Sequence, residues 1–432
     1  MKIEFVNHAS FIIDVEKIRL ICDPWIDGTA FDNGWALLSK SKFQYHDFSS
    51  ITHIWFSHEH PDHFSPPNLL KIPVEIRKNI EILFQKTTDK KVVNFCRKIG
   101  FKNVVELEKN KLFTLTSNLK LLNNPYTEGD SYLLIKYKEL KILNLNDCIV
   151  NSEKKAKELS KCVGNVDVLF TQFGYANKVG NKDEEFKRIN ASKEKLERIK
   201  IQSKYLEPKY IVPFASFIYF CHSENEYMNS GMNEIGRVYD YIKSEIKAEP
   251  IVLYPGDIWE VEKTYKKNRE AIEKYQEDYS LISDHTYLSS NSVPVLELIN
   301  SSKLFIERLH KKNGKAQSKI RLFTAKIYLS DYNQSFILSG DNGLLETIED
   351  FKKSADIILS SQALNYAFMH EWGGDTLSVN ARYQTTNDGN ISKFRIFTKI
   401  SAMNNRGESY REPNFISNLF LKLKRIYSRL LS

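Results

Sequence analysis

HIWFSHEHPDHFS, residues 53–65, decides how the rest of the chain is read. Its first five residues form a short apolar strand, which runs directly into three histidines and an aspartate. His58, His60, Asp62 and His63 fall within six residues. Alternate residues of an extended segment face the same way, so His58 and His60 can grip one ion. Asp62 and His63 then turn toward a second position. Neutral imidazoles and carboxylates are the donors that borderline divalent metals such as zinc or iron(II) accept. A lone histidine is usually structural, whereas this spacing predicts a centre for one or two divalent metal ions, iron or zinc. Asp62 doubles as a candidate catalytic group.

Outward from that stretch, strands and helices alternate. Upstream, SFIIDV and IRLICD flank Glu16-Lys17 as a hairpin would. Downstream come a helical stretch near 66–80, strand IEILF, helix DKKVVNFCRKIG and strand NVVEL. SYLLIKY and KILNLND form another expected hairpin. VDVLFTQF, a long charged helix near 183–206 and YIVPFAS follow. This order predicts a layered α/β domain over residues 1–262. Further ligands must come from its later strands. Asp147, at the end of KILNLND, can bridge two metals or orient a water, or serve only as a turn aspartate. His222, soon after a strand, is the second candidate ligand. His8 in NHASF, Asp23 in CDPW and Asp257 in YPGDIW are candidates for orienting ligands or touching substrate. For His8 a buried structural role, and for Asp257 a β-turn, are the plainer alternatives.

Residues 263–282 are charge-rich and read as a helical connector. A second, smaller α+β domain is expected over 283–405: helix VLELINSSKLFIERLHKK, strands IRLFTAKIYL and QSFILS, a helix near 345–371, then strands DTLSVNARYQ and SKFRIFTKI. HEWGGDTLSVNARYQ (370–384) resembles sterol-carrier-type domains. His370, Glu371 and Asp375 there read as strand-edge polar residues rather than a ligand cluster. The tail, 412–432, is a basic amphipathic helix by pattern. Over 415–432, Ile416, Leu419, Phe420, Leu423, Ile426, Tyr427 and Leu430 recur at helical spacing, with Lys422, Lys424, Arg425 and Arg429 between them. Such a helix either docks on its own protein or lies on an anionic membrane surface.

Composition bounds the function. In 432 residues, 42% hydrophobic and 27% charged content fits a soluble globular protein. Sixty-two Lys and Arg against 54 Asp and Glu give a charge of +8, which favours an anionic small-molecule substrate. No basic stripe interleaved with aromatics accompanies the metal motif, which argues against nucleic acid. Five scattered cysteines suit a reducing compartment. The N-terminus meets charge too soon for a signal peptide, and no apolar run spans a bilayer. A cytoplasmic location follows, with the inner membrane face open to the tail. P-loop, dinucleotide-fingerprint and nucleophile-elbow motifs are absent.

HxHxDH resembles the metallo-β-lactamase superfamily. NHASFII (7–13), CDPWIDGTAFDNGWALL (22–38), FSHEHPDHFS (56–65), EGDSYLLIKYKELKILNLNDC (128–148) and the segment 212–222 resemble, within it, the CMP-N-acetylneuraminic acid hydroxylase family. The resemblance implies an αββα sandwich with the site at its edge, iron at that site, and O₂-dependent hydroxylation of an N-acetyl group on a nucleotide-activated sugar. By position it implies His58, His60, Asp62, His63, Asp147 and His222 as ligands. Two departures stand out. Where the family has a histidine before SYLLIKY, this chain has Tyr126, with Glu128 and Asp130 nearby as replacement ligands. The Rieske cluster's cysteine–histidine pairs are also missing, so an oxygenase needs a separate electron donor. A hydrolase acting through metal-activated water on an ester, amide or phosphodiester is the alternative. A non-catalytic membrane-associated binding module ranks last.

Overall fold

Apolar side chains on both faces of the early strands determine where those strands lie. On Ser10–Val15, Phe11 and Ile13 point into one core and Ile12 into another. Leu20 and Cys22 alternate with Ile21 on Ile18–Cys22, and Trp55 alternates with Ile54 and Phe56 on His53–Phe56. Strands apolar on both faces must be covered on both. The computed structural model, which describes residues 1–126 and 129–410, places them in a seven-stranded sheet. Its strand order is Ile258–Glu260, Lys2–Asn7, Ser10–Val15, Ile18–Cys22, His53–Phe56, Glu81–Gln85 and Asn103–Leu107.

A second seven-stranded sheet faces it, in the order Glu249–Pro250, Tyr210–Phe214, Val168–Gln172, Leu140–Asn144, Ser131–Tyr137, Leu119–Pro125 and Leu112–Thr114. The inner faces meet in one core, where the Phe11 and Phe170 rings stack 4.2 Å apart. Leu69, Val92 and Val93 seat Pro66–Lys71 and Lys91–Lys98 on the first sheet's outer face. Ala156, Leu159, Leu196, Ile199 and Val238 seat Glu153–Val163, Glu185–Leu206 and Ile235–Glu245 on the second's. Each of these buried leucine, isoleucine and valine side chains contributes about 1.5–3 kcal/mol. The result is the αββα sandwich.

The helix Asn268–Ser280, inside the stretch read as a connector, lies on the sandwich. Tyr275 stacks on Phe217 at 4.2 Å, and its hydroxyl donates to the Leu253 carbonyl at 2.9 Å.

Beyond it, a four-stranded sheet runs in the order Gly343–Glu346, Gln334–Ser339, Thr324–Leu329, Ile357–Leu359, with its own core. Val295–Asn313 packs on that sheet as read from the sequence. Three expectations fail here. The stretch 345–371 begins as strand, includes the strand Ile357–Leu359, and is helical only from Ser361 to Met369. The two segments read as final strands are the helices Gly373–Asn380 and Ile391–Asn405. Phe394, Phe397 and Ser401 are buried, a spacing of three and four that outweighs the strand propensity of Phe and Ile. Asn390 caps this helix at the Ser392 N–H. The basic tail 412–432 lies outside the described residues. Among those described, no helix is long and apolar enough to cross a membrane.

Candidate metal centre

Strand ends of both sheets deliver the polar residues to one edge. His8 sits in the turn between Lys2–Asn7 and Ser10–Val15, and Asp23 follows Ile18–Cys22. His58, His60, Asp62 and His63 follow His53–Phe56. Asp130 precedes Ser131–Tyr137, and Asp147 follows Leu140–Asn144. His8, Asp23 and Asn146 hold left-handed φ of 43°, 41° and 34°. Such backbone is costly for non-glycine residues and persists where surroundings over-determine it. Here Asn146 Nδ2 donates to the Ser131 carbonyl at 2.7 Å, and its Oδ1 accepts the Asp147 N–H at 2.6 Å. The Ala215 N–H donates to the His8 carbonyl at 2.8 Å.

Three groups of ligand atoms converge, each within 4.8 Å: His58, His60 and Asp130; His8, Asp62 and His63; and His58, His63 and Asp147. His58, Asp62, His63, His8 and Asp130 are buried, while His60 and Asp147 are partly open to solvent. Asp147 reaches both ends of the cluster: Oδ2 lies 3.7 Å from His58 Nε2 and Oδ1 lies 3.3 Å from His63 Nε2.

Around this cluster lies a shell that aims the rings. Asp23 Oδ2 lies 2.9 Å from His63 Nδ1 and accepts the Ser57 hydroxyl at 2.7 Å, while Oδ1 accepts the Ser57 N–H at 2.7 Å. Ser57 Oγ also lies 2.8 Å from His58 Nδ1. With Nδ1 of His63 facing a carboxylate, Nε2 is left to face the cluster. Burial pulls His63 down, but Asp62, Asp147 and Asp23 outweigh it and push its pKa well above the usual imidazole range. Burial would raise Asp62 and Asp147, yet His63 holds both carboxyls below their ordinary values. His58 is pushed well down by burial and by the neighbouring His63 and His60. The three carboxylates therefore favour positive charge at His63, while His58 is held neutral. His63 Nε2 and Asp62 Oδ1 are buried without a hydrogen-bond partner. Buried polar atoms are rarely left so, and imidazole nitrogen and carboxylate oxygen around one point fit a divalent metal.

Residues 2–215 match the family model described as beta-lactamase superfamily domain. This half of the chain is a metallo-β-lactamase fold. The chain is 28% identical over 243 residues to the cytidine monophosphate-N-acetylneuraminic acid hydroxylase of Xenopus laevis, covering 53% of this chain and 40% of that protein. With the Mus musculus hydroxylase it shares 25% identity over 324 residues, covering 70% and 54%. The alignments thus take in about half the length of these relatives. Among solved structures, the diiron β-hydroxylase CmlA of Streptomyces venezuelae is 16% identical with a TM-score of 0.37, covering 67% of this chain and 52% of that one. A metallo hydrolase from Ignicoccus hospitalis is likewise 16% identical, with a TM-score of 0.42, covering 60% and 99%.

Several predicted positions of this metallo-β-lactamase domain fall elsewhere. His222 is not brought to the cluster. Backbone pairing of Cys221 and Ser223 with Leu288 carries it toward Ser290, whose Oγ lies 3.1 Å from His222 Nε2. Tyr126 also stays outside the groups. Its hydroxyl lies 3.5 Å from the Ile149 carbonyl, and burial pushes it up to about 12. Asp130 stands in the place sought for Tyr126, while Glu128 lies outside the described residues. Asp257 is buried in its turn, accepting the Tyr254 N–H and the Tyr265 hydroxyl at 2.9 Å, a structural tie rather than a substrate contact. Glu371 pairs with Lys312 and Arg308. Sequence reading missed Ser57, whose only signal is adjacency to His58, and Gln172, whose Nε2 donates to Asp147 Oδ1 at 2.5 Å.

Proposed function

We propose that the chain is a metal-dependent oxygenase that hydroxylates an anionic, sugar-like metabolite of the N-acyl amino-sugar nucleotide class. One observation carries the reading: among the described residues, every convergent group is two histidines and one carboxylate. That donor set with open positions is the ligand pattern of non-haem iron(II) oxygenases. Asp130, one of the candidate replacement ligands, completes the group with His58 and His60. The similarity to the hydroxylases supports the same reaction class.

His58, His60 and Asp130 would hold one ion, and His8, Asp62 and His63 a second, with Asp147 between them. Iron so held supplies O₂ activation and single-electron chemistry. The chain's own residues orient and enclose. Asp23 and Ser57 fix the rings of His63 and His58, and Trp25 closes the His8 side, its ring centroid 5.7 Å from that of His8. Phe31 packs 5.9 Å from His60 and shields the outer ligand. Electrons would come from a separate donor protein.

A second reading, hydrolysis, draws on Asp147. A carboxylate reaching both positions suits two-metal activation of water, with Asp62 or Asp147 orienting it. Elemental analysis and anaerobic spectroscopy on protein purified without added metal separate the two. Near-stoichiometric iron with an optical or Mössbauer signal that changes on O₂ exposure is expected. Zinc with no redox response would overturn the oxygenase reading in favour of hydrolysis. Peripheral membrane contact through 415–432 belongs to the proposal and predicts that deleting the tail abolishes binding to anionic liposomes.

A further inference from the structure

The helix Glu185–Leu206 lies over the strand ends that carry Asp147 and Gln172, and it places two cations there with little to neutralise them. Lys195 Nζ is 3.5 Å from Gln172 Oε1, and Gln172 Nε2 is 2.5 Å from Asp147 Oδ1. Lys195 is therefore two hydrogen bonds from the metal cluster. One turn along, Arg198 is 8% exposed, its Nε has no partner among the described residues, and it pairs there with Glu194 alone, at 3.4 Å, which is 62% exposed.

The same helix supplies a comparison. Arg188 is also buried, but its guanidinium donates to the Asn181 carbonyl at 2.6 Å, the Lys182 carbonyl at 3.1 Å and Ser230 Oγ at 3.1 Å. That is a structural arginine with its donors used. Arg198 has a spare donor in Nε, and a buried guanidinium with a solvated partner is poorly compensated. Residues three apart on a helix are neighbours, so Lys195 and Arg198 also repel each other. Asp147 attracts both but does not account for them. Two divalent ions would already offset the cluster carboxylates Asp62, Asp130 and Asp147.

We propose that Lys195 and Arg198 form the subsite for the substrate's oxyanion, a phosphate or carboxylate, and hold its reacting end over the metal cluster. The pair offers a forked guanidinium beside a point-charge ammonium, which together grip a multi-oxygen anion. Gln172 links the pair to Asp147, which is partly open to solvent. The inference rests on the metal-site reading and adds which anchor selects an anionic substrate.

The test is calorimetric titration of the metal-loaded full chain with inorganic phosphate and, separately, acetate. Lys195→Met, Arg198→Gln and the conservative Lys195→Arg are compared with the parent, and metal content is measured on each. Charged hydrogen bonds lost at one residue predict phosphate affinity about tenfold or more weaker in Lys195→Met and Arg198→Gln. Lys195→Arg should restore most of it, with metal content unchanged throughout. A phosphate response larger than that for acetate marks a phosphorylated anchor, and the reverse a carboxylate. Equal affinity in parent and variants overturns the subsite, as does binding of neither anion by the parent. Loss of metal without loss of anion affinity in the variants also overturns it, making the pair a mere counter-charge. If the chain binds no metal yet its phosphate affinity still falls in the variants, the subsite stands and the metal reading fails.

Discussion

Asp23 is fully buried, with its oxygens directed at Ser57 and His63 rather than at solvent. Its carboxylate holds His63 in the orientation that turns Nε2 toward the cluster, so its worth is realised through another residue. Asp23→Asn keeps the volume and part of the bonding but removes the charge facing Nδ1. Metal affinity should fall about 10–100-fold, as for other lost partners of ligating histidines, by competition with a chelator. Unchanged affinity would mean that His63 is aimed by packing alone. At this scale the sequence was informative only locally. His58, His60, Asp62 and His63 lie together in the chain, so their spacing alone put them at one strand end. His8 reaches them by register within the first sheet, and Asp130 by the packing of the second sheet on it, across 50 residues or more, which no spacing encodes. His222 misled for the same reason: a histidine after a strand is a ligand only if the next backbone turn faces the site.

The helices Gly373–Asn380 and Ile391–Asn405 cross where Gly374 meets Thr398. A Cβ on Gly374 would lie 2.2 Å from that of Thr398, so the close approach depends on the glycine. Gly374→Ala should destabilise the chain by about 1–3 kcal/mol through overpacking, even though alanine favours helix. Chemical denaturation checks it, and a gain in stability would show that the helices can part at no cost. This element pair was illegible because Phe394, Ile396, Thr398 and Ile400 alternate as a strand would. The helical reading rests on Phe394, Phe397 and Ser401, which only burial against neighbours selects. In the sandwich, by contrast, strands apolar on both faces and the hairpin at Glu16-Lys17 were visible directly, because a central sheet leaves few alternatives for such segments.

Between the sandwich and the second sheet, Arg382 is a buried tie. Fully buried, it donates from Nε to Glu224 at 2.8 Å, from Nη1 to Asp32 Oδ2 at 2.9 Å and from Nη2 to Gln362 Oε1 at 2.6 Å. Breaking such a pair strands its carboxylates, so Arg382→Ala should cost about 3–5 kcal/mol in an unfolding titration. The same cluster makes stability depend on pH in two opposing ways. His222 falls from 6.5 to about 4, by burial and by the nearby Arg382 charge. The unfolded chain then binds more protons than the folded one between those values. Stability present above about pH 6.5 is lost as pH falls toward about 4. Asp32, raised by burial to about 6 despite Arg382, acts the other way: its contribution is present at low pH and lost as pH rises through about 6. At this junction the two contributions oppose each other in the parent, and they separate only by removing one. His222→Gln leaves Asp32 alone, so the variant should gain on the parent as pH falls, by at most about 3 kcal/mol between about pH 6.5 and 4. Unfolding free energies of both proteins at several pH values measure it. Parallel curves would show that His222 titrates normally and that Arg382 exerts no field on it. A widening gap would assign that share of the acid response to His222 at this junction.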